Sequence, residues 1–149
     1  MESGSERMLN IIKKGTETVE QHKNLVELSK KYKIPTMASF IVGHQDETLD
    51  DLQQTLNFVQ SFRDTPYFVP LTYILAVFPG TDCWNYAKQH GIPVEQYEKI
   101  VMDVPGDVGP LLNAPIVSSL PRDQLLHMAQ LLTAEMMFKH SRYPSPEYF

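Results

Sequence analysis

The sequence predicts an α/β protein built on parallel strands. Three observations lead there. The apolar period changes from helical spacing to two short, partly β-branched runs at 34–43 and 67–78; a helical segment separates them; and a glycine or a Pro-Gly pair closes each run. A strand–helix–strand unit implies parallel pairing through a right-handed crossover. Two strands cannot make a stable parallel sheet alone, because both faces need cover, so the chain reads as a piece of something larger.

The 149 residues suffice for one domain. Hydrophobic residues at 42% and charged residues at 21% exclude a disordered or collagen-like chain. No apolar run approaches the ~20 residues of a spanning helix, and no leader-like segment opens the chain. A cytoplasmic setting without membrane partners is therefore expected. A net charge of −5, from 13 basic and 18 acidic side chains, argues against a nucleic-acid partner. Cys83, the single cysteine, excludes a disulfide framework and a self-contained cysteine metal site. The five histidines show no HxxxH or HxH spacing, so no metal ligand is assigned.

The elements follow in order. Residues 5–14 form a helix with Met8, Leu9, Ile11 and Ile12 on one face, capped by Ser3 or Ser5 and stopped by Gly15. Residues 18–32 form a second, capped by Thr16 or Thr18, with Val19, Leu25, Val26 and Leu28 apolar. The strand 34–43 is followed by a polar loop. Thr48 and Asp51 then make a capping box, with Asp replacing the usual Glu or Gln. That helix runs to about Phe62 on Leu49, Leu52, Leu56 and Val59. After the strand 67–78 and the Pro79-Gly80 turn, Thr81 or Asp82 caps a helix through Trp84, Tyr86 and Ala87, closed by Gly91. A short helix at 94–101, a loop at 105–119, a last helix at 121–140 and a Pro-containing tail complete the chain. Leu125, Met128, Leu132, Met136 and Phe138 mark the last helix's buried side, with its methionines as packing filler.

Four segments now carry a resemblance: Glu2-Ser3-Gly4-Ser5 with Met8-Leu9; Lys13-Lys14-Gly15-Thr16; Phe40-Ile41-Val42-Gly43 with Glu47-Thr48; and Phe78-Pro79-Gly80-Thr81 with a helix ending in Gly91. Together they resemble the C-terminal half of a radical S-adenosylmethionine (radical SAM) domain. The nearest subgroup by pattern is the cobalamin-associated one that includes the anaerobic magnesium-protoporphyrin IX monomethyl ester oxidative cyclase. The resemblance implies a fragment of a partial (β/α) TIM-like barrel, with residues 1–91 as the C-terminal half of the barrel and 92–149 as a helical extension packed on it. It implies SAM and a 4Fe-4S cluster in a full-length parent, with cobalamin as a further cofactor of the subgroup. The parent would be an oxidoreductase that cleaves SAM reductively to a radical and abstracts hydrogen from a small-molecule substrate. The three-cysteine cluster motif is absent, so the chain alone is expected to be inactive, with no catalytic residue of its own and the N-terminal half of the barrel as partner. Self-association, or the last helix folded over the open face, would cover the bare sheet.

The same resemblance implies the cofactor-binding residues. Glu2 and Ser3 would meet the ribose hydroxyls or amino group of SAM, with Gly4 admitting close approach and the segment prone to fraying at the chain end. Lys14 would pair with the methionine carboxylate. Ile41, Val42 and Gly43 would line the adenine by backbone and apolar contact, and Phe78 and Pro79 would finish that pocket. His44-Gln45-Asp46 departs from the apolar-Pro-Gly run of similar chains and offers His44 as a polar contact. Cys83, near a helix start that can lower a thiol pKa, reads better as a small packing residue. The alternative to an enzyme part is a small α/β binding or interaction module.

Overall fold

The computed structural model describes residues 1–94 and 115–142. The helix expected at 94–101, most of the loop at 105–119 and the tail lie outside those residues, apart from Val94, residues 115–119 and Arg142. The described elements are α1 (Glu6–Lys13), α2 (Val19–Tyr32), β1 (Thr36–Val42), α3 (Leu49–Ser61), β2 (Phe68–Ile74), α4 (Asp82–Gln89) and α5 (Arg122–Arg142). The expected class is found: an α/β arrangement with two parallel strands and flanking helices, consistent with part of a β/α barrel.

Local chemistry sets the helix starts. Ser5 accepts from the Met8 amide, and Thr18 exchanges bonds with Gln21 in a full capping box. Thr48 does the same with Asp51, and Thr81 accepts from the Trp84 amide. α1 ends one residue sooner than expected, at Lys13, and α2 ends at Tyr32 as expected. Lys14 and Lys33 themselves take left-handed backbone, with φ of 51° and 56°, a conformation that glycine adopts more readily.

β1 pairs in parallel with β2, Thr36 opposite Phe68 through Val42 opposite Ile74. Thr36 donates to Tyr67 and Leu75 donates to Val42, so even-numbered β1 residues bond to odd-numbered β2 residues. Pro70 therefore lacks its N–H on the outer edge of β2, where a strand proline is tolerated. β2 stops at Ile74 rather than Phe78. Its partner ends at Val42, and the φ of 98° at Gly43 turns the chain away, so the Leu75–Val42 bond closes the ladder and 76–78 lie beyond it.

The core lies between the sheet and α2, α3 and α5. Ala38, Phe40 and Val42 point into it with Phe68, Leu52, Phe58, Val59, Leu125, Met128 and Leu132. Met37 and Ser39, on the other face of β1, are exposed. A second cluster joins Val77, Trp84, Ala87, Val94 and Val117. Several apolar positions were misread. On α2 the inward stripe is His22, Val26 and Ser29, leaving Leu25 and Leu28 exposed; Leu49 of α3 is exposed as well. On α5, Glu135 takes an inward position and Phe138 is exposed. Arg63 explains both: it pairs with Glu135, joined there by Gln60, and its guanidinium lies 5.0 Å from the Phe138 ring centre.

The chain's first residues are fastened to α3. Gly4 donates from its amide to the Thr55 hydroxyl (3.0 Å), Ser3 and Thr55 share a hydroxyl contact of 3.1 Å, and Ser5 donates to Asp51 at 2.5 Å. Arg7 pairs with the same carboxylate, which also accepts from the Thr48 amide (2.9 Å) and hydroxyl (2.5 Å). Ser3 and Ser5 are buried, so the expectation of a fraying segment is corrected. Gly4 is needed because a Cβ would lie 2.7 Å from both Thr55 Cα and Phe58 Cβ; it admits α3, where ligand approach was expected. Burial pushes the Asp51 carboxyl up, but the bonds from Arg7, Ser5 and Thr48 outweigh it and hold the group well below the usual carboxylate range.

Removing this carboxylate strands donors on three residues, Ser5, Arg7 and Thr48. Asp51→Ala should lower unfolding stability by about 2–4 kcal/mol in denaturant titration. Asp50→Ala, one residue away and bonded to exposed Gln54 on the helix surface, should stay within about 0.5 kcal/mol of wild type. Equal effects from the two variants would contradict the role given to Asp51.

Candidate functional site

A small cleft of about 50 Å³ opens at the carboxyl ends of the two strands. Its walls are Glu2, Ser3, Met8, Ile12, Ile41, His44, Glu47 and Leu75. The fold brings them together by one backbone bond. Ile41 faces the β1 edge opposite β2, and its amide donates to the Glu2 carbonyl at 3.0 Å. The segment around Glu2 thus lies where a neighbouring strand would end, and Asp51 holds it there.

Of the residues expected to bind a cofactor, Glu2, Ser3 and Ile41 meet at this cleft. The Ser3 hydroxyl is engaged by Thr55 and by the Ser5 amide, so its side chain serves the fold. Lys14 is exposed and outside the cleft walls. The preceding residue, Lys13, reaches Glu2 at 2.6 Å and Glu17 at 3.6 Å, and the bond to Glu2 raises its pKa above the ordinary value. Val42 is fully buried on the helix-facing side of β1. Gly43 borders the cleft through its neighbours. A Cβ on it would lie 3.2 Å from Leu125 of α5, so its constraint is backbone conformation and helix packing rather than room for a base. Phe78 and Pro79 lie past the end of β2, in the turn where Phe78 accepts from the Thr81 hydroxyl at 2.7 Å. Cys83 is half-buried against the second cluster, and burial pushes its thiol pKa up, opposite to the effect of a helix start. Among the described residues no group of three His, Cys, Asp or Glu could hold a metal ion, and no helix is long and apolar enough to cross a membrane.

Sequence reasoning missed Glu47 as a site residue. It is 1% exposed, and its carboxyl accepts from the Gly43 amide at 2.6 Å. Burial is the main cause of a pKa pushed up to about 7; the bonds from the Gly43 and His44 amides oppose it, and nearby Asp51 adds to it. The available signal was position: an acidic residue four places after a strand-ending glycine can fold back onto that glycine's amide. His44 follows directly. Its Nδ1 accepts from the Asp46 amide at 3.2 Å, and burial lowers its pKa.

No family model matches this chain. Among curated proteins, an uncharacterized methyltransferase of Pyrococcus horikoshii is 37% identical over 88 residues, 58% of this chain and 18% of that protein. The tRNA-2-methylthio-N(6)-dimethylallyladenosine synthase of Buchnera aphidicola is 37% identical over 70 residues, 45% and 16% respectively. The enzyme of that name from Pseudoalteromonas atlantica is 32% identical over 82 residues, 54% and 17%. The matched stretch is thus less than a fifth of each relative. These likenesses support a radical SAM relationship. They do not support the cobalamin-associated cyclase subgroup.

Glu47 gives the site a pH signature. Between the ordinary carboxylate value of 4.5 and about 7, the folded chain keeps a proton that the unfolded chain has lost. Glu47 therefore removes stability as pH rises through that window. Glu47→Gln keeps an acceptor for the Gly43 amide and has no proton to lose. Its stability relative to wild type should rise by about 1–3 kcal/mol between pH 4.5 and pH 8, followed by thermal unfolding. Parallel curves across that range would contradict the burial account.

Proposed function

We propose that this chain forms one side of the adenosyl pocket of a radical SAM enzyme that transfers a methyl or methylthio group. The observation that carries this reading is the cleft at the carboxyl ends of two parallel strands, with Glu2 tied beside Ile41. β/α barrels bind their ligands at that end of the strands. In this reading the Glu2 carboxylate accepts from ribose hydroxyls, and Ile41 and Leu75 pack against the base. Lys13 balances charge at Glu2 and offers a cation to a carboxylate of the cofactor. The residues present suit such a group: apolar walls with an acceptor at one side.

SAM, held at a 4Fe-4S cluster, supplies the radical chemistry. The cluster would be bound by a barrel half contributed by a longer chain, since clusters need several thiolates and Cys83 is one. That half would also cover Met37 and Ser39. In the same reading residues 1–91 belong to the barrel, 92–149 extend it, and the protein works in the cytoplasm. Methyl or methylthio transfer is preferred to the cyclase-type oxidation because of the names of the relatives. If the substrate is RNA, a net charge of −5 gives this segment little hold on phosphates, and other parts of the parent would grip it. The rival reading, a non-catalytic module, draws on the internal engagement of Ser3 and Glu47.

Two measurements test the proposal. In the full-length protein, Glu2→Ala should weaken S-adenosylhomocysteine binding about tenfold or more by calorimetry, the effect of losing ~1.4 kcal/mol, while Lys14→Ala leaves it unchanged. Binding indifferent to Glu2→Ala would favour the rival. Anaerobic incubation of the 149-residue chain with iron and sulfide should leave it colourless. A stable brown species with about four irons per chain would contradict the assignment of the cluster to another segment.

A further inference from the structure

Two groups on the cleft have polar capacity left for a ligand: the Glu2 carboxylate and His44. The other polar walls are engaged, Ser3 by Thr55 and Ser5, and Glu47 by the Gly43 amide. His44 sits at the end of β1, and its side chain is 16% exposed, packed yet reachable. Two partners bear on its Nδ1. The Asp46 amide donates to it at 3.2 Å, while the Asp46 carboxylate lies 3.5 Å away, beyond good hydrogen-bond length. An amide can only donate, so Nδ1 carries the lone pair. The ring is then the neutral tautomer with its proton on Nε2. Burial favours that neutral form. Among the described residues no protein atom accepts from Nε2. The Asp46 amide thus fixes the ring of a cleft-lining residue whose one donor meets no acceptor among the described residues, beside an acceptor at Glu2 and apolar walls.

We propose that His44 is a ligand-contacting residue of this cleft, donating from Nε2 to an acceptor atom of the adenine nucleoside whose ribose Glu2 holds. The proposal rests on the adenosyl-pocket reading and sharpens it. Glu2 supplies an acceptor for hydroxyl donors, and His44 supplies a donor that a purine ring nitrogen or ribose oxygen can meet. Discrimination follows from chemistry: a site built to hydrogen-bond an acceptor loses affinity for an analogue lacking it, because the buried donor is left unmet.

The test is calorimetric binding of S-adenosylhomocysteine to the full-length, anaerobically prepared protein. Wild type, His44→Phe and His44→Gln are compared. Phenylalanine keeps the ring and removes the donor; glutamine restores an N–H near the Nε2 position. We expect His44→Phe to bind about tenfold more weakly at unchanged melting temperature, and His44→Gln to stay within about threefold of wild type. A second readout uses the wild-type protein alone. The imidazole nitrogen shifts should show the Nε2–H tautomer without ligand and move at Nε2 when S-adenosylhomocysteine is added. This keeps the proposal testable if either variant fails to fold. Binding by wild type with His44→Phe equally tight, or with unmoved imidazole shifts, would overturn the role of His44 and leave the pocket reading standing. Failure of folded wild type to bind would overturn both.

Discussion

One carboxylate holds the strand-end cleft of this molecule together. Asp51 stands in the first turn of α3, where the helix dipole favours an anion, and closes the capping box with Thr48. The same two oxygens accept from Ser5 and Arg7, which belong to the chain's opening segment and to α1. A helix cap has thereby become a joint between three elements. With Ser5 fixed, Gly4 lies against α3, Ser3 meets Thr55, and the Glu2 carbonyl comes within reach of the Ile41 amide. Were the joint released, the cleft would lose the wall that carries the Glu2 carboxylate.

The chemistry of the cleft follows from that geometry. Parallel strands end together, so side chains distant in sequence converge there: Glu2, Ile41, His44, Glu47 and Leu75. Most polar groups are already satisfied internally, as burial requires. Glu47 holds the turn after β1 through the Gly43 amide, and Asp46 holds the His44 ring. Beside apolar walls remain the Glu2 carboxylate, which keeps acceptor capacity beyond its pairing with Lys13, and a donor at His44. In the proposed reading, that surface meets a nucleoside.

The local features were legible in the sequence. Thr18, Thr48 with Asp51, and Thr81 were recognisable as caps, because a cap depends on residues three positions apart. Both strands and their parallel pairing were legible from the change of period. Features that depend on distant partners were not. Lys13 rather than Lys14 reaches Glu2, a choice set by how α1 docks. Gly4 is required by Thr55 and Phe58, more than fifty positions on. Glu135 can face inward because Arg63 meets it, and β2 ends where its partner turns away at Gly43. The site was half legible: Glu2 and Ile41 were named and do converge, Lys14, Phe78 and Pro79 were named and stand apart, and Glu47 was overlooked because loop carboxylates are ordinarily solvated.

The central claim is that the wall held by Asp51 forms part of an adenosyl pocket. A crystal structure of the protein with S-adenosylhomocysteine bound tests it most directly. The account predicts ligand density between Glu2 and His44, with ribose oxygens within hydrogen-bond distance of the Glu2 carboxylate and the base against Ile41 and Leu75. Density elsewhere, with Glu2 still paired to Lys13 and the cleft bare, would contradict it.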